Sequence, residues 1–267
     1  MTDREIDELV GGAKTYEALY VPALFGQWAK IVADHVYLAP GQRVLDVACG
    51  TGVLSREILF RLEGKVHITG LDLNSGMLSV AKELSHDINW ERGSAEDLPF
   101  PDNSFDVVVC QFGLMFFSNR EKAIQEIVRV LKPDGHMGFS VWDALENIPV
   151  YSRSVALIEQ YAGSRAREAL SGPYELGDIE LLRQTFSDAG VTSTEVNTHV
   201  GTARFPDLNT MIEADLRGWL PVMGIVLEED DIQEILKRAQ VDLSEFICPD
   251  GQVIFDLSAH IVTRTSS

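Results

Sequence analysis

Val44-Leu-Asp-Val-Ala-Cys-Gly-Thr-Gly-Val-Leu-Ser55 joins an apolar run to a helical stretch through a tight glycine turn. Arg43 to Ala48 reads as a strand and Val53 to Leu62 as the helix that follows it. Gly50 and Gly52 let the backbone approach a ligand closely, beside the donors of a helix N-terminus. A dinucleotide-binding turn has the same need, so the glycines alone do not choose a ligand. Two residues depart from G-x-G-x-x-G. Ser55 stands in the third glycine's place, and Asp46 lies four residues before Gly50. A carboxylate there repels a pyrophosphate and suits a ligand that carries an ammonium or a sulfonium.

Outward from this stretch, short apolar runs alternate with helical ones. Lys65 to Leu71 reads as a second strand, followed by a helix from Ser75 to Leu84 and a third strand from Ile88 to Arg92. Phe105 to Cys110 is almost unbroken in β-branched residues, the mark of a strand buried on both faces. Arg120 to Leu131 places Ala123, Ile124, Ile127, Val128 and Leu131 at helical spacing and stops at Lys132-Pro-Asp-Gly135. His136 to Trp142 is the fifth strand, and His136 itself reads as structural. Strand–helix alternation on this scale requires helical crossovers, hence a doubly wound, mostly parallel α/β sheet.

The tail is less regular. Asp178 to Ala189 reads as a helix, Val191 to Val200 as a strand ended by Gly201, and Gln252 to Thr263 as another strand. Residues 143–177 and 203–250 read as helical insertions that cover the carboxyl end of the sheet, where open α/β sheets bind ligands. The expected layout is one domain over 1–267, with a helical cover at 1–40 and a cofactor core at 41–142.

Composition narrows the function. The 267 residues hold 22 Lys+Arg against 41 Asp+Glu, a net charge of −19, with 45% apolar residues. The apolar share is that of a folded globular chain. The acidic excess excludes an ordinary nucleic-acid partner and disfavours an anionic membrane surface, which leaves small molecules. The three cysteines are scattered, and the six histidines show no metal-ligand spacing, so neither a disulfide framework nor a metal site is expected. Met1 to Val10 carries four acids and one base, unlike a signal peptide, and no apolar run approaches the roughly 20 residues of a membrane span. A soluble, cytoplasmic protein is expected. Cys49 and Cys110 have no basic neighbour in sequence and read as small buried hydrophobes. Glu228-Glu-Asp-Asp231 reads as a solvated helix start.

Three further elements face the same crevice. Asp72 ends the second strand, twenty residues after Gly52, where an acid accepts hydrogen bonds from ribose hydroxyls. Gly93-Ser-Ala-Glu-Asp97 follows the third strand, where a backbone N–H and a short polar side chain can read an adenine edge. Cys110-Gln-Phe-Gly113 follows the fourth strand, and Leu114-Met-Phe-Phe117 after it is a candidate pocket wall.

Taken together, Leu-Asp-Val-Ala-Cys-Gly-Thr-Gly, Gly-Leu-Asp-Leu-Asn-Ser-Gly-Met-Leu, Gly-Ser-Ala-Glu-Asp-Leu-Pro-Phe and Glu-Ile-Val-Arg-Val-Leu-Lys-Pro-Asp-Gly resemble a class I S-adenosylmethionine-dependent methyltransferase of the ubiquinone/menaquinone group. The resemblance covers about a hundred residues in order, from Val44 to Trp142. It implies a Rossmann-like seven-stranded sheet whose antiparallel seventh strand lies at the sheet's end, a place that Gln252 to Thr263 fits. It implies that Asp46 and the turn of Ala48, Cys49, Gly50 and Gly52 hold the methionine part of S-adenosylmethionine, and Asp72 the ribose. Leu73 and Met77 would pack on the adenine with Ser94, Ala95 and Glu96 at its edge, and Gln111 and Phe112 would flank the sulfonium. Tyr16-Glu-Ala-Leu-Tyr-Val-Pro-Ala-Leu-Phe-Gly-Gln-Trp28 resembles the leading helices of such enzymes, so Tyr16, Phe25 and Trp28 join the cofactor candidates. Tyr20, Met115, Phe116 and Trp142 are the substrate candidates. The family usually has Gly at the positions of Ala48 and Asp134.

The implied reaction is methyl transfer to a small-molecule acceptor, apolar, aromatic or cationic, at a C-, O- or N-nucleophile. No residue announces itself as a general base. The Asn/Asp-Pro-Pro-Tyr/Phe signature of amino-methylating nucleic-acid enzymes is missing after the fourth strand. Two other readings stay open: an NAD-dependent oxidoreductase, against which Asp46 and Ser55 stand, and a catalytically silent cofactor-binding module.

Overall fold

The structure, a computed structural model, describes residues 3–264. Among these, no helix is long and apolar enough to cross a membrane. The chain forms two compact units, one of Met1–Val141, Ile179–Thr198 and His260–Ser267, the other of Trp142–Asp178 and His199–Ala259.

The strands are β1 (Arg43–Val47), β2 (His67–Asp72), β3 (Asn89–Arg92), β4 (Phe105–Gln111), β5 (Leu131–Trp142), β6 (Thr194–Phe205) and β7 (Val253–Arg264), of which β1 to β4 lie wholly in the first unit. They form one seven-stranded sheet in the order β3-β2-β1-β4-β5-β7-β6. β1 pairs parallel with β2 and β4, β2 with β3, and β4 with β5. The sheet is mixed, with two antiparallel strands near its end. β7 is not the outermost strand, however. It lies between β5 and β6, and β6 takes the edge.

Burial follows from parallel pairing. Helices on both faces leave no wet side for the central strands, so Val44, Leu45, Val47, Val107, Val108 and Val109 are all fully buried. The helices of this unit are α1 (Asp3–Thr15), α2 (Gly26–His35), α3 (Val53–Arg61), α4 (Ser75–Leu84), α5 (Arg120–Val130) and, after the first segment of the second unit, α8 (Ile179–Asp188). Tyr16–Phe25, between α1 and α2, is a π-helix with Pro22 inside it. Asn74 caps α4 by accepting from the backbone of Gly76 and Met77, and Asn119 caps α5 by accepting from Lys122.

Two boundaries differ from the sequence reading. β5 begins at Leu131 rather than His136, so Lys132-Pro-Asp-Gly135 lies within a strand. Its register explains how a proline is tolerated there. Phe105 opposes Leu131 while Val107 opposes His136, an irregularity that places Pro133 outside regular pairing. β6 likewise runs through Gly201 to Phe205 instead of ending at it, because Gly201 is buried inside the strand.

The second unit contains α6 (Pro149–Ala162), α7 (Ser164–Ser171), α9 (Leu208–Glu213), α10 (Leu220–Val222) and α11 (Glu229–Asp242), with a π-helical segment, Ala214–Trp219, between α9 and α10. The Trp219 indole N–H donates to the Ala169 carbonyl at 2.8 Å, which fastens that segment to α7. Arg217 grips both oxygens of Glu229 at 2.8 Å, so the acidic start of α11 is an ion-paired helix terminus.

Candidate functional site

The candidate site stands at the carboxyl ends of β1, β2 and β4, all within the first unit. β1 delivers Asp46, only 1% exposed. Its Oδ2 accepts from the Ser55 hydroxyl at 2.6 Å, while its Oδ1 is buried without a hydrogen-bond partner among the described residues. Burial pushes the Asp46 carboxyl up to about 7; hydrogen bonds from Ser55 oppose the shift and the charge of Asp72 adds to it. β2 delivers Asp72, whose Oδ2 accepts from the Gly50 backbone and Oδ1 from that of Asn74, each at 2.8 Å. Each oxygen keeps a second lone pair, which is what paired ribose hydroxyls require.

The backbone between these acids is bent into the left-handed region. Gly50 has φ +57° and Gly52 φ +84°. Ala48 (φ 55°) and Phe112 (φ 53°) adopt the same region without being glycine. Such residues carry strain that surrounding structure must hold, and they gather at functional sites. Phe112 is held by its backbone N–H, which donates to the Ser140 carbonyl and hydroxyl of β5. Ala48→Gly relieves about 1–2 kcal/mol of left-handed strain and loses about 0.4–1 kcal/mol through added freedom in the unfolded chain. A urea titration should therefore show this variant equal to or slightly more stable than the parent; a clear loss of stability would refute the strain.

The amino-terminal π-helix roofs the turn. Tyr16 lies 4.0 Å from where a Cβ on Gly50 would stand, and its ring stacks on Phe25 at 5.2 Å. Phe25 meets Phe112 at 5.6 Å, and Trp28, fully buried, meets Phe112 edge-on at 5.8 Å. Gln111 donates its amide to the Phe25 carbonyl at 3.3 Å. Arg56 ties the roof to the turn, pairing with Glu17 at 2.7 Å and donating to the Thr51 carbonyl at 2.5 Å. Tyr16, Phe25, Trp28, Asp46, Ala48, Cys49, Gly50, Gly52, Asp72, Gln111 and Phe112 are thus gathered at one end of the sheet. Ser94, Ala95 and Glu96 follow β3, whose Gly93 N–H donates to the Asp72 carbonyl at 3.1 Å. Glu96 already accepts from the Asn119 backbone at 2.9 Å. Leu73 is exposed and Met77 half-buried. Of the substrate candidates, Tyr20 sits in the roof 6.0 Å from Tyr16, Met115 is buried and Phe116 is 51% exposed. Trp142 is buried and belongs to the second unit.

The donor–acceptor balance indicates what fits. Among the described residues, the buried polar side-chain atoms without a partner include Asp46 Oδ1, Glu17 Oε2, Gln111 Oε1 and the Thr51 hydroxyl of the turn. The first three accept only, and two of them belong to carboxylates; the hydroxyl can also donate. An ammonium with its three N–H groups, beside a sulfonium, suits the three acceptors better than a pyrophosphate does.

The Methyltransferase domain family matches residues 45–139. A demethylmenaquinone methyltransferase of Symbiobacterium thermophilum is 30% identical over 224 residues, covering 72% of this chain and 89% of that protein. The chain belongs to the class I S-adenosylmethionine-dependent methyltransferases of the ubiquinone/menaquinone type. The demethylmenaquinone methyltransferase of Renibacterium salmoninarum is 43% identical over 111 residues, 42% of this methyltransferase and 46% of that protein, so the match spans about half that relative's length. The YcgJ protein of Bacillus subtilis shares the fold with a TM-score of 0.60 at 20% identity, over 89% of this chain and 97% of that one.

In this methyltransferase the sulfur and phenol groups beside the turn are held above their ordinary pKa, which disfavours their anionic, nucleophilic forms. Burial, and after it the charges of Asp46 and Asp72, hold the Cys49 thiol well above the usual range, and burial does the same to Cys110. Tyr16 is pushed up by burial and then by Asp72, Glu17 and Asp46, so its hydroxyl stays protonated. Two contributors escaped sequence reading. Trp90 on β3 lays its indole against both Gly52 and Gly70, where added Cβ atoms would stand 2.2 and 2.4 Å from it. Glu126 accepts from the Leu98 backbone at 2.9 Å, while Arg129 donates to Glu126 and to the Leu98 and Phe100 carbonyls, which fixes the loop after the turn at residues 93–97. Only a shared interest in that loop links these residues, and no local spacing signals it.

Proposed function

We propose that this chain transfers a methyl group from S-adenosylmethionine to a hydroxylated aromatic acceptor of the quinol class. The observation that carries the cofactor half is Asp46: a buried carboxylate with one oxygen unpartnered, beside a left-handed glycine turn. The acceptor class rests on the names of its relatives, demethylmenaquinone methyltransferases among them.

S-adenosylmethionine, when bound, supplies an electrophilic methyl on a sulfonium. The chain's own residues bind and orient. Asp46 and the backbone of residues 48–52 would hold the ammonium and carboxylate, Asp72 the ribose hydroxyls, and Gln111 and Phe112 the surroundings of the sulfur. Tyr16, Phe25 and Trp28 exclude water from the turn. Placing the acceptor in line supplies most of the acceleration in a reaction of this kind. A phenolic or ring-carbon nucleophile also needs a proton acceptor. The raised Asp46 carboxyl is already committed to Ser55 and to the cofactor's ammonium, so that proton goes elsewhere.

Calorimetry tests the reading. S-adenosylmethionine and its demethylated product should both bind, and NADH should not. Failure of both to bind at millimolar concentration would sink it; NADH binding in their place would favour an oxidoreductase.

A further inference from the structure

Ser55 stands where a dinucleotide-binding turn has its third glycine, a position that such turns use for close packing of helix on strand. The serine is fully buried, and a buried hydroxyl needs a partner. Inside a helix the ordinary partner is the carbonyl four residues back. For Ser55 that carbonyl belongs to Thr51, and the Arg56 guanidinium already engages it at 2.5 Å. The Ser55 hydroxyl instead donates to Asp46 Oδ2, on the neighbouring strand β1, at 2.6 Å.

This bond orients the carboxyl. Oδ2 is spent on α3, so Oδ1, buried and without a partner among the described residues, is the oxygen left for a ligand. The bond also bears on charge. An ionised carboxylate only accepts, so a donor fixed beside it favours it over the neutral acid. The other groups around Asp46 give no such help. Asp72, from β2, adds a like charge. The Cys49 thiol of the turn, the Cys110 thiol of β4 and the Tyr16 hydroxyl of the roof are all raised and stay protonated. Arg56 and Glu17 are paired with each other at 2.7 Å. Ser55 is the group that opposes burial at this carboxyl.

We propose that Ser55 is the positioning residue of the ammonium site: its hydroxyl anchors Asp46 through Oδ2, favours the ionised form and presents Oδ1 to the amino group of the adenosyl ligand. This rests on the cofactor half of the proposed function. A serine that only fills space would affect every adenosyl ligand alike. One that acts through Asp46 affects only those that carry the amino group.

The probes are S-adenosylhomocysteine and its analogue without the α-amino group, titrated calorimetrically into the full chain at pH 7 and pH 8.5. A hydrogen bond to a charged group is worth about tenfold or more in an equilibrium constant. Ser55→Ala should accordingly bind S-adenosylhomocysteine about tenfold more weakly at pH 7 and the desamino analogue nearly as the parent does. Without the donor, burial raises the Asp46 carboxyl further, so its charged fraction at pH 7 falls and recovers as pH rises. The loss at pH 8.5 should therefore be smaller than at pH 7. Ser55→Thr, which keeps the hydroxyl, should restore the parent's preference for the amino group. Carbon-13 NMR of the Asp46 carboxyl in the ligand-free protein should place its titration midpoint higher in Ser55→Ala than in the parent. Equal losses for the two ligands, or an unmoved midpoint, would overturn the proposal. If Ser55→Ala does not fold, Ser55→Cys puts a weaker donor in the same place, and an unchanged preference for the amino group overturns the proposal equally. A parent that binds neither ligand refutes the cofactor reading, whereas the carbon-13 midpoint still decides whether Ser55 governs the carboxyl.

Discussion

Asp46→Asn is expected to weaken S-adenosylhomocysteine binding at least a hundredfold while raising the melting temperature of the ligand-free protein at pH 8. Both effects have one cause. Asp46 is 1% exposed, and burial lifts its carboxyl from 3.8 to about 7. A shift of that size corresponds to on the order of 4 kcal/mol between protonation states. Because the folded value lies above the unfolded one, this stability is fully present below about pH 4 and is lost as pH rises through 7. At pH 8 the fold holds an ionised carboxylate whose Oδ1 has no partner. Asparagine keeps an oxygen for the Ser55 hydroxyl and removes the buried charge. On the proposed site it also removes the counterion for the ligand's ammonium. Calorimetry with S-adenosylhomocysteine, together with melting curves at pH 5 and pH 8, separates the two consequences. The melting-temperature gain should be large at pH 8 and small at pH 5. Unchanged affinity, or a lower melting temperature at pH 8, would contradict the role given to Asp46.

Gly52→Ala is the second large effect, and it acts on stability. Gly52 has φ +84°, and an added Cβ would stand 2.2 Å from the Trp90 indole. The left-handed backbone alone costs an alanine about 1–2 kcal/mol. The clash adds to it, since overpacking a tight core costs about 1–3 kcal/mol more. Gly64, with φ +73° and nothing within 4 Å, isolates the backbone part. Urea titrations should thus give Gly64→Ala a loss of about 1–2 kcal/mol and Gly52→Ala a loss of about 2–5 kcal/mol. In a double-mutant cycle, Trp90→Ala should recover the clash portion. If the two glycine variants lose the same amount, Trp90 does not confine the turn.

The central part of the fold was legible because its causes are local. β1, its glycine turn and α3, the buried run of β4, and the spacing of Ile124 and Ile127 in α5 are set by periodicity within a dozen residues. Asp46 and Asp72 stood out because their distance from the glycines is itself the signal. Misread boundaries fell where tertiary pairing overrides a breaker. Pro133 rides an irregularity opposite β4, and Gly201 is carried through an edge strand. Trp90 could not have been foreseen as a partner of Gly52, since that contact joins two crossovers of the sheet.

Trp90 also has a spectroscopic consequence. Its indole is 8% exposed, its N–H donates to the Ser85 carbonyl at 3.0 Å, and the Cys49 sulfur sits 3.0 Å from the same point above Gly70 that the ring crowds. A fluorophore so placed emits from an apolar, hydrogen-bonded surrounding, next to a thiol able to quench it. Trp90 is one of four tryptophans, so in a variant with Trp28, Trp142 and Trp219 replaced the glycine turn would carry its own optical label, and changes in the turn would be read as changes in emission without any added dye.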